Sequence, residues 1–193
     1  VSHIPMAEWG IKKLTPKLRK WDIYSSKRVD QFIANSSFVA QRTLEFYERD
    51  SKVIHPPIDV ERFKTNKNKK SDYLLCAGAF VSYKRFDLAI KACEDLGQKL
   101  IVAGSGPMES QLRDLADSNT QFVISPSNDK FDELLRNADA LIFPGVEDFG
   151  MIAIEAMASG TPVLAYKKGG ATDFIKEGKT GSFFTDPTWH NLA

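Results

Sequence analysis

From residue 30 onward, short apolar stretches rich in β-branched residues alternate with longer amphipathic stretches that carry apolar residues at helical spacing. This alternation is typical of βαβ units, in which a helix connects two parallel strands. Strands that are buried on both faces are apolar throughout, as most of these short stretches are. The pattern therefore predicts an α/β fold built on a Rossmann-like parallel sheet.

The predicted elements form two groups separated by the lysine-rich stretch "KTNKNKK". The first group is the strand "QFIANS", the helix "SFVAQRTLEFYERD" capped by Ser36 or Ser37, and the strand "KVIHPP". The second group has the strands "YLLCAG", "KLIVAG", "QFVIS", "ALIFP" and "PVLAY", with a helix after each of the first four. We therefore assign residues 1–55 to one unit, residues 56–70 to a linker and residues 71–193 to a second unit.

The distribution of charge supports this division. The whole chain has a net charge of +1, but residues 1–70 contain 15 basic and 8 acidic residues, whereas residues 71–193 contain 11 and 17. Around "KKLTPKLRK", apolar residues recur at roughly helical spacing opposite the lysines, at Ile11, Leu14, Leu18 and Trp21. Such a stretch is typical of a surface helix packed on its own domain or of a helix lying on an anionic membrane. Pro16 interrupts the pattern.

Composition narrows the class of protein further. With 193 residues, 42% of them hydrophobic, the chain can bury a core. No stretch approaches the ~18 apolar residues of a membrane span, and the first twenty residues lack the apolar part of a secretory signal, so we expect a cytoplasmic location. Cys76 and Cys93 lie in apolar stretches without a CxxC motif or a nearby histidine, which favours two buried free thiols.

Residues with useful chemistry follow the predicted strands directly. Lys84 and Arg85 follow "YLLCAG", Gly104 and Gly106 follow the next strand, and Gly150 begins a helix after "ALIFP". In a parallel sheet, ligands bind at the carboxyl ends of the strands, where loops lead into helix N-termini. Glycine-rich turns, a Lys-Arg pair and a helix N-terminus together favour an anion site at this edge.

Each of these features alone also has a purely structural explanation. "GSGP" lacks the third glycine of a dinucleotide fingerprint and no GxxxxGK[ST] motif is present, so neither a dehydrogenase nor a P-loop protein is expected. Gly104 and Gly106 fit a simple strand-to-helix turn equally well, and a lone lysine is usually solvated. Their combination at one edge of one sheet is what favours a functional interpretation.

Glu147 and Glu155 stand on either side of the glycine that begins the last predicted helix. Helical geometry places them at most ~12 Å apart along the axis, whereas the carboxyls of a glycosidase lie ~5 to 9.5 Å apart across one bond. A better match is an elongated ligand with a diphosphate over the helix N-terminus and hydroxyls at both ends, because carboxylates accept hydrogen bonds from hydroxyls. Alternatively, one glutamate is solvated and the other caps the helix.

"EDFGMIAIEAMASGTPV" resembles the E-x7-E signature of glycosyltransferase family 4, the glycogen-synthase-like retaining glycosyltransferases. Further stretches are similar to this family in the same order, namely "RVDQFIANSSFVAQRTLEFY", "VIHPPIDVERFK", "SYKRFDLAIKA", "IVAGSGPMESQL", "LLRNADALIFP" and "GGATDFIKEGKTGSFF". The likeness is greatest to mannosyltransferases of surface-polysaccharide synthesis. It implies a GT-B fold, in which residues 71–193 form the C-terminal donor-binding domain and residues 1–55 are part of the N-terminal acceptor domain.

The resemblance also implies roles for individual residues. Glu155 would bind the ribose hydroxyls of a nucleotide-sugar donor, and Glu147 would contact the transferred sugar. Lys84 would neutralise the diphosphate, with Arg85 beside it as a helper.

Backbone groups and one histidine complete the implied site. Phe149 and Gly150 would present backbone N–H groups to the sugar and the diphosphate. His3, in "VSHIP", matches a family histidine that points at the sugar, although the sequence alone gives a histidine near a chain end no role. Loop residues around Ser125 to Asn128 would surround the base.

Three positions depart from the family pattern. Ala79 stands where the family usually has an arginine, five positions before the lysine, so one cation for the diphosphate is missing. Gly145 replaces a usual serine and Asp173 a usual glutamate, and both are expected to be mild changes. Because the chain starts at the histidine motif and ends before the family's final helices, we expect parts of both domains to lie outside it.

The sequence therefore predicts the donor-binding part of a retaining glycosyltransferase, with GDP-mannose as the favoured donor and a glycan or lipid-linked acceptor. No DxD pair is present to hold a metal, no cofactor is expected, and nucleic acid is not an expected partner. The chain as given is expected to bind donor without transferring sugar. Three alternatives stay open: peripheral contact with the inner face of the membrane, an inactive nucleotide-sugar-binding module, and a GT-B relative such as a nucleotide-sugar epimerase.

Overall fold

The computed structural model of the protein describes residues 5–65 and 71–193, with side chains from Gly10 onward. The chain forms two compact units, the first ending at His55 and the second beginning at Pro56. The histidine His3 and residues 66–70 of the predicted linker lie outside the described residues.

The smaller unit contains one parallel strand pair and two helices. Its elements are α1 (Pro5–Ser26), β1 (Phe32–Ala34), α2 (Ser37–Tyr47) and β2 (Ser51–Val53), and β1 pairs with β2 in parallel. Of the two serines predicted to cap α2, Ser36 does so, because its side chain accepts a hydrogen bond from the Val39 amide.

Helix α1 continues through Pro16, which the sequence pattern suggested as an interruption. A proline has no amide hydrogen to donate to the preceding turn of the helix. In that turn of α1, the Thr15 hydroxyl donates a hydrogen bond to the Ile11 carbonyl. The predicted apolar positions of α1 are exposed, namely Ile11, Leu14, Leu18 and Trp21. No helix in the described part of the chain is both long and apolar enough to cross a membrane.

The larger unit is built on a six-stranded sheet in which all neighbouring strands are parallel. Its strands are β3 (Leu74–Ala79), β4 (Leu100–Ser105), β5 (Thr120–Ile124), β6 (Ala140–Phe143), β7 (Val163–Tyr166) and β8 (Gly181–Phe184). The spatial order β5-β4-β3-β6-β7-β8 is that of a doubly wound Rossmann-type sheet, in which the order reverses between the first and fourth strands. This confirms the predicted fold class and adds one strand, β8.

In the described residues of this unit, four helices and two short 3₁₀ turns connect the strands, and a fifth helix follows β8. The helices are α3 (Phe86–Asp95), α4 (Glu109–Leu115), α5 (Asn128–Asn137), α6 (Met151–Ala158) and α7 (Trp189–Leu192), and the turns are Ser82–Lys84 and Gly170–Asp173. Helix α4 ends at Leu115, and beyond it Asp117 accepts a hydrogen bond from the Asn119 amide and forms a turn.

Alternate residues of the central strands pack against the two helical layers. Leu75 and Leu141 face the cluster that includes α5 and α6, whereas Cys76 and Ile142 face the cluster that includes α3. Phe63 joins the first cluster with 7% of its surface exposed. Residues 56–65, which the sequence assigned to the linker, therefore belong to the larger unit.

Both cysteines are buried free thiols, as predicted. Burial raises the pKa of the Cys93 thiol to about 11, and it also raises the pKa of Cys76.

Because the thiolate is the reactive form of cysteine, we expect Ellman's reagent at pH 8 to label neither Cys76 nor Cys93 in the native protein and both in guanidinium. Rapid labelling of a chain with native circular dichroism would contradict this expectation.

Candidate functional site

The order of the strands in the sheet reverses between β3 and β6, which are parallel neighbours. β3 pairs with β6 through Leu74 and Leu75, at the amino end of the strand, whereas it pairs with β4 over its whole length. Ligands of doubly wound sheets bind outside the carboxyl ends of the strands at this reversal point. The loops after β3 and β6, which carry Lys84 and Glu147, therefore flank the candidate site.

Lys84 and Glu147 form a largely buried ion pair. The Lys84 Nζ donates to Glu147 Oε1 over 2.6 Å, and the two side chains are 12% and 18% exposed. Gly78, at φ +131°, leaves room for this lysine, because a Cβ on that residue would lie 3.0 Å from Lys84 Nζ. The structure thus brings together the cation and the first carboxylate that the sequence predicted for the site.

Gly145 allows the backbone after β6 to approach the turn that carries Lys84. A Cβ at Gly145 would lie 2.6 Å from the Tyr83 carbonyl oxygen and 2.7 Å from Lys84 Cα. Backbone atoms cannot yield as a flexible side chain can, so a serine at this position would displace the turn. Glycine at this position is therefore required by the packing of this chain, and the expectation that the departure from the family pattern is mild stays a prediction.

The loop after β7 supports the backbone of Glu147. The Gly170 amide donates to the Glu147 carbonyl over 2.9 Å, and a Cβ at Gly169 would lie 2.6 Å from the same oxygen. The Phe149 ring meets the Phe174 ring edge to face, with centroids 5.4 Å apart. These contacts place a third strand-end loop against the site.

Gly104 and Gly106 meet the backbone of the loop after β3. A Cβ at Gly104 would overlap the Gly78 carbonyl oxygen, and a Cβ at Gly106 would lie 2.7 Å from Phe80 N and O. The Phe80 amide also donates to the Ser105 carbonyl over 2.8 Å. Packing alone therefore accounts for both glycines, and their contact with phosphate stays a prediction.

Helix α6 begins at the carboxyl end of β6, beside the Lys84–Glu147 pair. Its first turn follows Gly150, which has φ +98° and makes no side-chain cap. A Cβ at this position would come within 2.9 Å of the Phe143 ring. Because the first amides of a helix have no partner within the helix and carry a partial positive charge, this end favours an anion.

Glu155 lies on α6 and is half-buried. It differs from Glu147 in that it is not paired with Lys84. In the part of the chain that the structure describes, its carboxylate has no hydrogen-bond or ion-pair partner. Burial raises the pKa of Glu155, the positive charge of Arg62 opposes that rise, and the negative charge of Asp132 adds to it. Glu155 therefore presents carboxylate oxygens that can still accept hydrogen bonds.

Sequence reasoning missed Arg62 and Asp132. Arg62 donates from Nε to Asp132 Oδ2 over 2.9 Å and from Nη2 to Asp132 Oδ1 over 2.8 Å. Arg62 lies in the segment assigned to the linker, and Asp132 is one of several polar residues on the amphipathic α5. No spacing in the sequence indicates that these two residues pair.

The remaining predicted residues are placed as follows. Arg85 has φ +53° and donates from Nε and Nη2 to the Asp87 carboxylate, so its guanidinium is engaged at the start of α3. Ala79 is exposed at the end of β3, and Asp173 ends the 3₁₀ turn after β7. Within residues 5–65 and 71–193, no group of three acidic, histidine or cysteine side chains is arranged to hold a metal ion.

A parallel sheet of this strand order defines an α/β protein of the doubly wound, Rossmann-like class. Comparison with known proteins specifies the family: residues 57–193 match Glycosyl transferases group 1, and the chain belongs to that family.

Two curated relatives indicate how much of a whole protein the chain represents. It is 33% identical to an uncharacterized glycosyltransferase of Methanocaldococcus jannaschii, over 56% of this chain and 30% of that protein. It is 29% identical to a D-inositol 3-phosphate glycosyltransferase of Mycobacterium tuberculosis, over 79% of this chain and 37% of the relative. The chain thus spans about a third of the length of these relatives.

Solved structures share the fold at low sequence identity. The chain resembles Anabaena HepE, crystallised with UDP and glucose, at a TM-score of 0.76 and 20% identity, over 90% of this chain and 54% of that one. It resembles sucrose-phosphate synthase of Thermosynechococcus elongatus at a TM-score of 0.78 and 20% identity, over 90% and 50%. These likenesses support the GT-B type of fold.

Gly145→Ala should destabilise the larger unit and displace Lys84, because the new methyl group would contact the backbone of the preceding turn. Overpacking of this kind costs about 1–3 kcal/mol, which denaturant unfolding can measure. Gly10→Ala serves as the matched control, since a Cβ there meets nothing within 4 Å and alanine favours the helix. Equal stability of the two variants would show that the turn yields without cost.

Glu155→Gln should change how stability depends on pH. The folded protein holds the Glu155 proton more tightly than the unfolded chain, so this group's contribution is fully present below the ordinary pKa of 4.5 and is lost as pH rises through the raised value. The free energy of unfolding of Glu155→Gln, relative to the wild type, should therefore increase from pH 4.5 to pH 7.5. Glu94→Gln, on the exposed surface of α3, is the control, and parallel curves for both variants would contradict the expectation.

Proposed function

We propose that the chain is the donor-binding part of a retaining glycosyltransferase, which transfers a sugar from a nucleoside diphosphate sugar to a glycan or lipid-linked acceptor. The observation that carries the proposal is the Lys84–Glu147 pair at the reversal point of the sheet, next to the N-terminus of α6. Family membership supports it.

The diphosphate fits between Lys84 and the first turn of α6. Both present positive charge at the reversal point of the sheet, and a largely buried cation acts through a lower effective dielectric than an exposed one. The backbone amides of Phe149 and Gly150 are assigned to the diphosphate and the sugar. Ala79 supplies no charge where the family usually has an arginine, so Lys84 and the helix N-terminus carry the neutralisation.

Binding of the donor exchanges the partner of Lys84. Without ligand, the ammonium is paired with Glu147; with donor, it binds phosphate oxygens and the Glu147 carboxylate accepts from hydroxyls of the sugar. The exchange gives Lys84 a new anionic partner, and the hydrogen bonds from the sugar hydroxyls partly replace the ion pair that Glu147 loses. Glu147 is thus assigned to the sugar end of the ligand.

Glu155 is assigned to the ribose. Its half-buried carboxylate accepts from the two ribose hydroxyls, which replaces part of the solvation that burial removed. The length of α6 between Gly150 and Glu155 separates the diphosphate from the ribose by more than one helical turn.

The chemical contribution of these residues is electrostatic. As the bond between the sugar and the diphosphate breaks, negative charge develops on the leaving phosphate, where Lys84 and the α6 N-terminus stabilise it. The sugar acquires the character of an oxocarbenium ion. Retention of configuration follows from the resemblance to family 4.

Two observations bear on the donor base, and they favour different nucleotides. Resemblance to mannosyltransferases favours GDP-mannose, whereas Anabaena HepE was crystallised with UDP-glucose. An inactive nucleotide-sugar-binding module is the second candidate function, and Ala79 favours it because one expected cation is absent. Incubation of the chain with radiolabelled GDP-mannose or UDP-glucose and simple glycoside acceptors tests that module: transfer above background that Glu147→Ala abolishes would exclude it.

Glu155→Ala should weaken binding of a nucleoside diphosphate about ten- to hundredfold, because a charged hydrogen-bond acceptor of the ribose is lost. Titration calorimetry with GDP, UDP and ADP in EDTA measures this loss. Absence of binding by all three at millimolar concentration would overturn the proposed donor site.

The matched variant Glu147→Gln should retain or tighten binding of the plain diphosphate, because Lys84 no longer has to leave a carboxylate partner. It should weaken binding of the complete nucleotide sugar, whose hydroxyls lose a charged acceptor. Equal weakening of the plain diphosphate by both variants would contradict the assignment of Glu155 to the ribose and Glu147 to the sugar.

A further inference from the structure

Arg62, Asp132 and Glu155 form a cluster that the reaction as described leaves unexplained. Asp132 lies on α5 and Glu155 on α6, two helices that pack side by side. Arg62 donates two hydrogen bonds to Asp132, at 2.9 and 2.8 Å, and its guanidinium lies 5.1 Å from the centre of the Phe63 ring. The cluster therefore has one cation for these two carboxylates, and the charge of Asp59 also acts on Arg62.

Arg62 is shared unequally between the two carboxylates. Its charge interacts with Glu155 as well as with Asp132, but both of its hydrogen bonds go to Asp132. A bidentate arginine–carboxylate pair fixes the guanidinium in one orientation, and the ring of Phe63, itself anchored in the core, holds the guanidinium from another side. These contacts keep the Arg62 guanidinium from forming hydrogen bonds with the Glu155 carboxylate.

We propose that Asp132 is a positioning residue, which holds Arg62 away from Glu155 so that the Glu155 carboxylate can accept hydrogen bonds from the ribose of the donor. The inference rests on the proposed function, since it requires Glu155 to bind the ribose. Without the Asp132 carboxylate, Arg62 turns to Glu155 and occupies the oxygens that the hydroxyls would use.

The test compares nucleotide binding by the wild-type chain, Asp132→Asn, and the double variant Asp132→Asn/Arg62→Gln. The ligand is whichever of GDP and UDP binds the wild type more tightly, together with its 2′,3′-dideoxy analogue, which has no ribose hydroxyls. Asp132→Asn should weaken the natural diphosphate about fivefold, the effect of one partly exposed ion pair, and should leave the dideoxy analogue unchanged. The double variant should recover the affinity, because the competing cation is gone.

The outcomes separate this inference from the proposed function. If the wild type binds the natural and dideoxy diphosphates equally, Glu155 does not bind the ribose and the donor assignment fails with it. If the wild type distinguishes them but Asp132→Asn retains full affinity, only the positioning role is overturned. A loss that the double variant does not recover, or that extends equally to the dideoxy analogue, would show that Asp132 acts through the stability of α5 and would overturn the proposal as well.

Discussion

A largely buried ion pair, Lys84 with Glu147, is the interaction on which the candidate site depends. Burying either charge alone would cost several kcal/mol, and attraction between the two offsets that cost only with close geometry. The 2.6 Å contact meets this condition. The same condition underlies the proposed exchange, in which a phosphate replaces Glu147 as the partner of Lys84 and the cation stays paired.

Close approach of backbones keeps this pair in place. Gly145 lies against the turn that carries Lys84, and Gly169 and Gly170 lie against the loop that carries Glu147. Three loops that follow different strands thus meet without intervening side chains. A rigid arrangement of this kind holds charged groups where charge develops in a reaction, so that little reorganisation is needed at that moment.

Much of this arrangement could be predicted from the sequence, because it follows from local patterns. Continuous apolar stretches predict parallel strands, and a parallel sheet brings the residues after each strand to one edge. Lys84, Glu147 and Gly150 were found in this way. The strand β8 was not, because it has only four residues and is preceded by a short 3₁₀ turn instead of an amphipathic helix.

What the sequence did not predict are the contacts between residues distant in the chain. The pairing of Arg62 with Asp132 joins two segments 70 positions apart, and the need for glycine at position 145 depends on a turn that precedes it by about 60 positions. Such contacts are set by how helices and loops pack, which no local pattern records. Because the charge of Arg62 acts on Glu155, the segment assigned to the linker helps to determine the charge around the second carboxylate. The electrostatics of the candidate site thus depend on residues outside the loops at the carboxyl ends of the strands.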